Sequence, residues 1–119
     1  MNADELQKRL KDFAYKIVPL CELLPPRKVS QVIEGQLLRS AFSAAANYRA
    51  ACKAQSKKAF TSKLSIAFEE IDESLFWLEA IDDVKLIKTD QLLFILKEAD
   101  ELTRILASSR KTSQQRGAR

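Results

Sequence analysis

Four carboxylates crowd one short stretch of this chain: Glu69, Glu70, Asp72 and Glu73. Acids so arranged invite a di-metal reading. Such sites in helical bundles, however, combine Glu with Glu-x-x-His elements on facing helices. This chain has no histidine, and its four acids are neighbours in sequence, so no metal ion or other cofactor is expected. The missing histidine also removes the usual general base near neutral pH. Cys21 and Cys52 are the only cysteines. Two thiols make a poor zinc site, and both sit beside apolar residues, so they read as buried free thiols. Ser40, Ser43 and Ser56 read as packing or capping residues. No enzymatic activity is expected.

The bases are arranged more suggestively. On a helical projection Lys28, Arg39, Arg49 and Lys53 share a stripe roughly 80° wide, and Lys57 and Lys58 extend it. The ordinary meaning of such a stripe is a solvated helix face. The sharper meaning is a phosphate-binding surface, whose affinity falls steeply with salt. Phe42 lies in the same stripe, out of place on the charged side of a lone helix, which suggests that this face meets a partner. Arg39 has a second option, an ion pair with Glu70 or Glu73. Gln36, Ser40 and Asn47 border the apolar side of the same segment and read as a polar network that fixes helix register.

Charge varies by segment more than the overall +4 suggests. Residues 1–26 are neutral. Residues 27–63 carry eight bases and one acid, a net +7; residues 64–101 carry three bases and eleven acids, a net −8; residues 102–119 carry five bases and no acid. Attraction between such surfaces can guide helix pairing or bring copies together.

The elements that hold these residues are helices. Two Gly and three Pro in 119 residues leave few tight turns, which argues against β architecture. A chain of this size buries roughly 65% of its unfolded surface and needs no staples. A first helix is predicted from about Ala3 to Leu23, capped by Asn2 with Glu5 three residues on. Leu6, Leu10, Phe13, Ala14, Ile17, Val18, Cys21 and Leu24 form its apolar face. Pro19 should bend it or end it early. A second helix is predicted over about Arg27 to Ala54, with Ile33, Leu37, Ala41, Ala44, Tyr48 and Ala51 inward. A third follows Ser56 as cap and runs to about Ile81, with Phe60, Leu64, Ala67, Ile71, Leu75 and Leu78 inward. A fourth starts near Thr89 or Asp90 and ends near Ser108, with Leu92, Leu93, Leu96, Ala99, Leu102, Ile105 and Leu106 inward. Short connections between long amphipathic helices predict an all-α, up-down-up-down antiparallel four-helix bundle over residues 1–109. The basic, aperiodic end, residues 110–119, reads as a disordered tail. No segment approaches the roughly 20 apolar residues of a membrane span. The N-terminus has no signal-peptide core, so a cytoplasmic location is expected.

The stretch from Gln36 to Ile81 also carries a recognisable pattern: Gln36-Leu37, Arg39-Ser40, a run of small residues to Ala46-Asn47, then Tyr48-Arg49, Ser56, Phe60, Lys63-Leu64 and Trp77-Leu78. It resembles the four-helix-bundle proteins encoded within intervening sequences of bacterial 23S ribosomal RNA genes. The likeness covers most of the chain. Where the family usually has an acid after the Asn-x-Arg element, this chain has Ala50, and its small-residue run reads Ala44-Ala45 where many members have Gly or Pro. The resemblance implies a ring-like homopentamer without established catalytic activity. A family similar in fold, the accessory variability proteins of diversity-generating retroelements, is associated with nucleic acid and a reverse transcriptase. Two functions are therefore expected to compete. One is an oligomer that binds RNA or DNA through the basic helix-two face (Lys28, Arg39, Arg49, Lys53, Lys57, Lys58) and the basic tail. The other is a scaffold that docks a protein partner through acidic and apolar surfaces.

Overall fold

A computed structural model describes residues 1–117. Its elements are α1 (Ala3–Glu22), α2 (Lys28–Cys52), α3 (Lys57–Asp83) and α4 (Asp90–Gly117), and there is no strand among the described residues. The ends are where local chemistry puts them. The Asn2 side chain accepts from the Glu5 amide at 2.9 Å, Ser56 accepts from the Ala59 amide at 3.1 Å, and Thr89 from the Leu92 amide at 3.1 Å. Each satisfies one of the amides a helix start leaves unpaired. The end of α3 is a Schellman turn: Leu86 N–H reaches Ile81 O and Lys85 N–H reaches Asp82 O, both at 3.1 Å. Lys85 occupies the left-handed position, φ 58°, that glycine usually fills.

Each helix packs on its neighbours in sequence, and α4 closes on α1. Contacts between neighbours run in opposite directions. Thr61 meets Ser113 while Phe68 meets Arg110, and Arg9 meets Glu98 while Lys16 meets Phe94. The chain turns back from α2 to α3 within residues 53–56, so that Arg39 at the middle of one reaches Glu70 and Glu73 at the middle of the other. The result is an antiparallel rod measuring 50 × 22 × 21 Å. Leu10, Phe13, Ile17, Leu37, Leu64, Ile71, Leu78 and Leu102 fill its axis, all fully buried.

Several expectations are corrected. α1 runs through Pro19 to Glu22; the proline sits on the exposed side in the last turn, where one lost hydrogen bond does not break the helix. The core line of α3 passes through Ser74, which is fully buried, rather than Leu75, which is half-buried. In α4 the inward residues are Leu92 and Ile95, and Leu93 is exposed. Residues 110–117 are not a disordered tail but the last turns of α4; residues 118 and 119 lie outside the described residues. Ser113 is buried and shares a hydroxyl hydrogen bond with Thr61, and the Arg110 guanidinium lies 5.1 Å above the Phe68 ring. Polar contacts dock these turns on α3, so the hydrophobic period fades while the helix continues. Amide hydrogen exchange checks this: protection should persist past Ser109 to about Thr112, and random-coil exchange from Arg110 onward would refute it.

Candidate nucleic-acid interface

The six candidate bases are all exposed, but the fold does not gather them on one face. Lys28 opens α2 and Lys53 closes it, so they lie at opposite ends of the rod, about 38 Å apart at 1.5 Å per residue. Arg39 turns toward α3. Its guanidinium donates to Glu70 Oε2 at 3.0 Å and to Glu73 Oε2, and to Gln36 Oε1 at 3.4 Å. The carboxylates that suggested a metal site thus close on an arginine, while Glu69 and Asp72 face solvent. Glu73 also accepts from the Trp77 indole N–H at 3.1 Å. Burial of Glu73 opposes its ionisation, but the Trp77 and Arg39 hydrogen bonds outweigh it and hold the carboxyl below its usual range.

Gln36, Ser40 and Asn47 do not form one network. Of these three only Ser40 reaches α3 through a hydroxyl, by a 2.8 Å bond to that of Ser74, both fully buried. Asn47 donates back within its own helix, to the Ser43 carbonyl and hydroxyl. The cysteines are separate and free. Burial, followed by the charges of Glu34 and Glu22, pushes the Cys21 thiol up to about 12, which leaves it protonated and unreactive.

Lys53, Lys57 and Lys58 stay together at the α2–α3 turn, and there they meet residues that no sequence period singles out. A cleft of about 760 Å³ lies between the start of α3 and the end of α4; Lys57, Lys58, Thr61, Ser65, Ser113 and Gln114 line it. A second cleft, of about 450 Å³, brings Lys57 and Phe60 against Ser109, Thr112 and Arg116. It opens because α4 outruns α1. Arg9 of α1 pairs with Glu98 and Glu101, α1 begins only six residues before Arg9, and α4 continues sixteen past Glu101. The last ten or so residues of α4 therefore overhang, supported by α3 alone. No acid lines either cleft. On α3 no acid precedes Glu69, and on α4 none follows Glu101.

Arg49 belongs elsewhere. It lies with Phe42 at a third cleft, about 590 Å³, between α1 and α2. Tyr15 of α1 faces Phe42 there, ring centroids 6.1 Å apart and tilted 47°. Lys8 and Lys11 border it, Ala14 and Ala45 form its floor, and exposed Ala46 lies at its edge.

Fold and surface together define an all-α four-helix bundle with a segregated basic end. No group of three or more His, Cys, Asp or Glu side chains fit to hold a metal ion occurs among the described residues, and none of their helices is long and apolar enough to cross a membrane. The chain belongs to the 23S rRNA-intervening sequence protein family, which it matches over residues 4–108. It is also similar to a solved structure from Bacteroides thetaiotaomicron VPI-5482, a protein of unknown function from the S23 ribosomal protein family. The two are 33% identical, with a TM-score of 0.82 over 93% of this chain and 99% of that one. No curated protein matches the chain.

The chain has one tryptophan, which makes the Glu73 site readable. A depressed folded pKa contributes stability that is present above the unfolded value and lost as pH falls through the folded one. Trp77 fluorescence should hold steady on acidification through the ordinary Glu value of about 4.3 and change only below it. Glu73→Gln should abolish that step, and a step that survives the substitution would exclude Glu73 as its source.

Proposed function

We propose that this chain is a non-enzymatic bundle that associates with copies of itself and holds the sugar-phosphate backbone of RNA or DNA at its basic end. The supporting observation is the acid-free meeting of Lys57 and Lys58 with Arg116 along the α3–α4 clefts. Lys57 and Glu69 are twelve residues apart on one helix, about 18 Å. That exceeds the screening length of about 8 Å at physiological ionic strength. The α3 and α4 acids therefore do not cancel the field at these clefts. Asp4 and Glu5 at the start of α1, which adjoins Lys57 through Ala3, are outnumbered there by Lys53, Lys57, Lys58, Arg110, Lys111 and Arg116. The hydroxyls of Ser65 and Thr112 add hydrogen-bond donors for phosphate oxygens. Arg39, neutralised by its two acids, drops out of the binding surface, and Lys28 lies too far away to share a site with Lys57.

Self-association gives the exposed apolar side chains a use. Val32, Phe76, Leu93 and Phe94 are each more than half exposed, and a ring of five copies, as the family resemblance implies, would cover some of them and multiply the basic ends. The same side chains favour a second reading, a scaffold for a protein partner, because Phe76 lies among the acids of α3. Either role suits a cytoplasmic protein.

Retention of RNA as a function of salt tests the proposal. The logarithm of affinity should fall linearly with the logarithm of salt concentration, by about 0.7 for each single-strand phosphate contacted. The Lys57→Gln, Lys58→Gln double variant should flatten that line by about 1 to 1.5. Absence of retention at low ionic strength would refute the backbone reading, and a protein partner that survives nuclease treatment would replace it with the scaffold.

A further inference from the structure

The α1–α2 cleft combines features that a backbone site does not need. Tyr15 is 54% and Phe42 40% exposed, and their 47° tilt leaves each ring an open face. The floor is alanine on both helices, so the space in front of the rings stays unfilled. Its volume of about 590 Å³ is that of a small-molecule pocket. Lys11 and Arg49 stand at its border, and neither forms an ion pair among the described residues. Asp12, next to Lys11 in sequence, is held by Lys8 at 3.2 Å, and no acid lines the cleft.

We infer that this cleft is a stacking platform for the unpaired bases of a single-stranded nucleic acid. The inference rests on the nucleic-acid reading above and narrows it to strands whose bases are free. Single-strand sites pair a positively charged groove with aromatic side chains on which bases lie, and here both occur within two helical turns. A duplex hides its base faces and offers the rings nothing. An apolar protein surface would cover the rings only by burying Lys11 and Arg49 without partners, at a large desolvation cost. A nucleotide brings a flat ring and a phosphate together, one for Phe42 and Tyr15, the other for Arg49 and Lys11. The cleft also leads to the basic end: Arg49 lies four residues before Lys53 on α2, about 6 Å along the axis, so one strand can stack at the first and run its backbone to the second.

Binding of the full chain to a short oligothymidylate, to an abasic strand of equal length and to a matching duplex decides the question. The oligothymidylate should bind about tenfold more tightly than the abasic strand. Phe42→Leu and Tyr15→Leu should each remove most of that advantage, leave abasic-strand binding unchanged, and preserve the far-ultraviolet dichroism and the assembly mass. Tyr15→Phe should keep it. Equal affinity for thymidylate and abasic strands, or a preference for the duplex, would overturn the stacking platform while leaving the backbone site intact. A change of assembly mass in Phe42→Leu would overturn it in favour of a subunit contact. Failure of every strand to bind at low salt would remove the nucleic-acid reading itself.

Discussion

Two buried serines hold α2 and α3 in register, and the rest of the surface follows from that register. Ser40 and Ser74 are fully buried with their hydroxyls 2.8 Å apart; one donates across the interface while the other donates to a carbonyl of its own helix, so both protons are used. Small side chains at Ser40, Ala41 and Ala44 on one helix and Ala67 and Ser74 on the other let the backbones come close. Sliding one helix by a turn would break the hydroxyl pair and leave each serine only its own helix carbonyl, at about 1 kcal/mol, and would drive leucines into the space left for alanine. The same slide would part Arg39 from Glu70 and Glu73. The hydroxyl pair and the neighbouring ion pair favour one alignment, and each makes the alternatives worse for the other.

Antiparallel packing then sorts charge by position along the rod. The basic start of α3 lies beside the basic end of α4, although some fifty residues separate them in sequence. The acidic half of α3 lies beside the acidic half of α4, where Arg39 and Arg9 each hold two carboxylates. Arg9 is two-pronged on Glu98, at 2.9 and 2.7 Å. Its hydrogen bond to Glu98 outweighs the effect of burial, and with the Glu101 bond raises its pKa further above the ordinary arginine value. Opposite charge is consumed within the acidic half and left over at the basic end. This spatial segregation, rather than the modest net charge of +4, makes the chain a candidate for anionic partners.

Much of the architecture was legible in the sequence, because helix faces are written in apolar side chains and helix starts in capping ones. Asn2 and Ser56 mark two starts, and Leu10, Leu37, Leu64 and Leu102 lie in the core as their spacing predicts. The pairing of Arg39 with an acid of α3 was also within reach. The candidate site was less so. Hydrophobic period says nothing about Ser113, whose burial rests on a hydroxyl of Thr61, so the end of α4 reads as a tail when it is a wall. Gln36 and Asn47 sit beside Ser40 on a projection, yet a projection cannot say which of them finds a partner across the interface. Leu93 and Ile95 are equally apolar, but Ile95 alone continues the three-and-four spacing of Leu92, Ala99, Leu102 and Leu106, the signal that places it inside. Tyr15 was not singled out at all, because its role depends on a ring brought from another helix.

The overhang of α4 has an energetic meaning of its own. Beyond the reach of α1, its last turns rest on α3 alone, through a hydroxyl pair and a guanidinium on a ring, with little apolar area to anchor them. Helix ends with few buried contacts open at a free energy well below that of the whole fold. Arg116 rides on this loosely tethered end, while Lys57 is rooted in the body of the bundle. An anion that grips both would fasten the end in place, and part of its grip would be spent on stilling that motion. Affinity at this end of the molecule is thereby tied to the stiffness of one helix terminus.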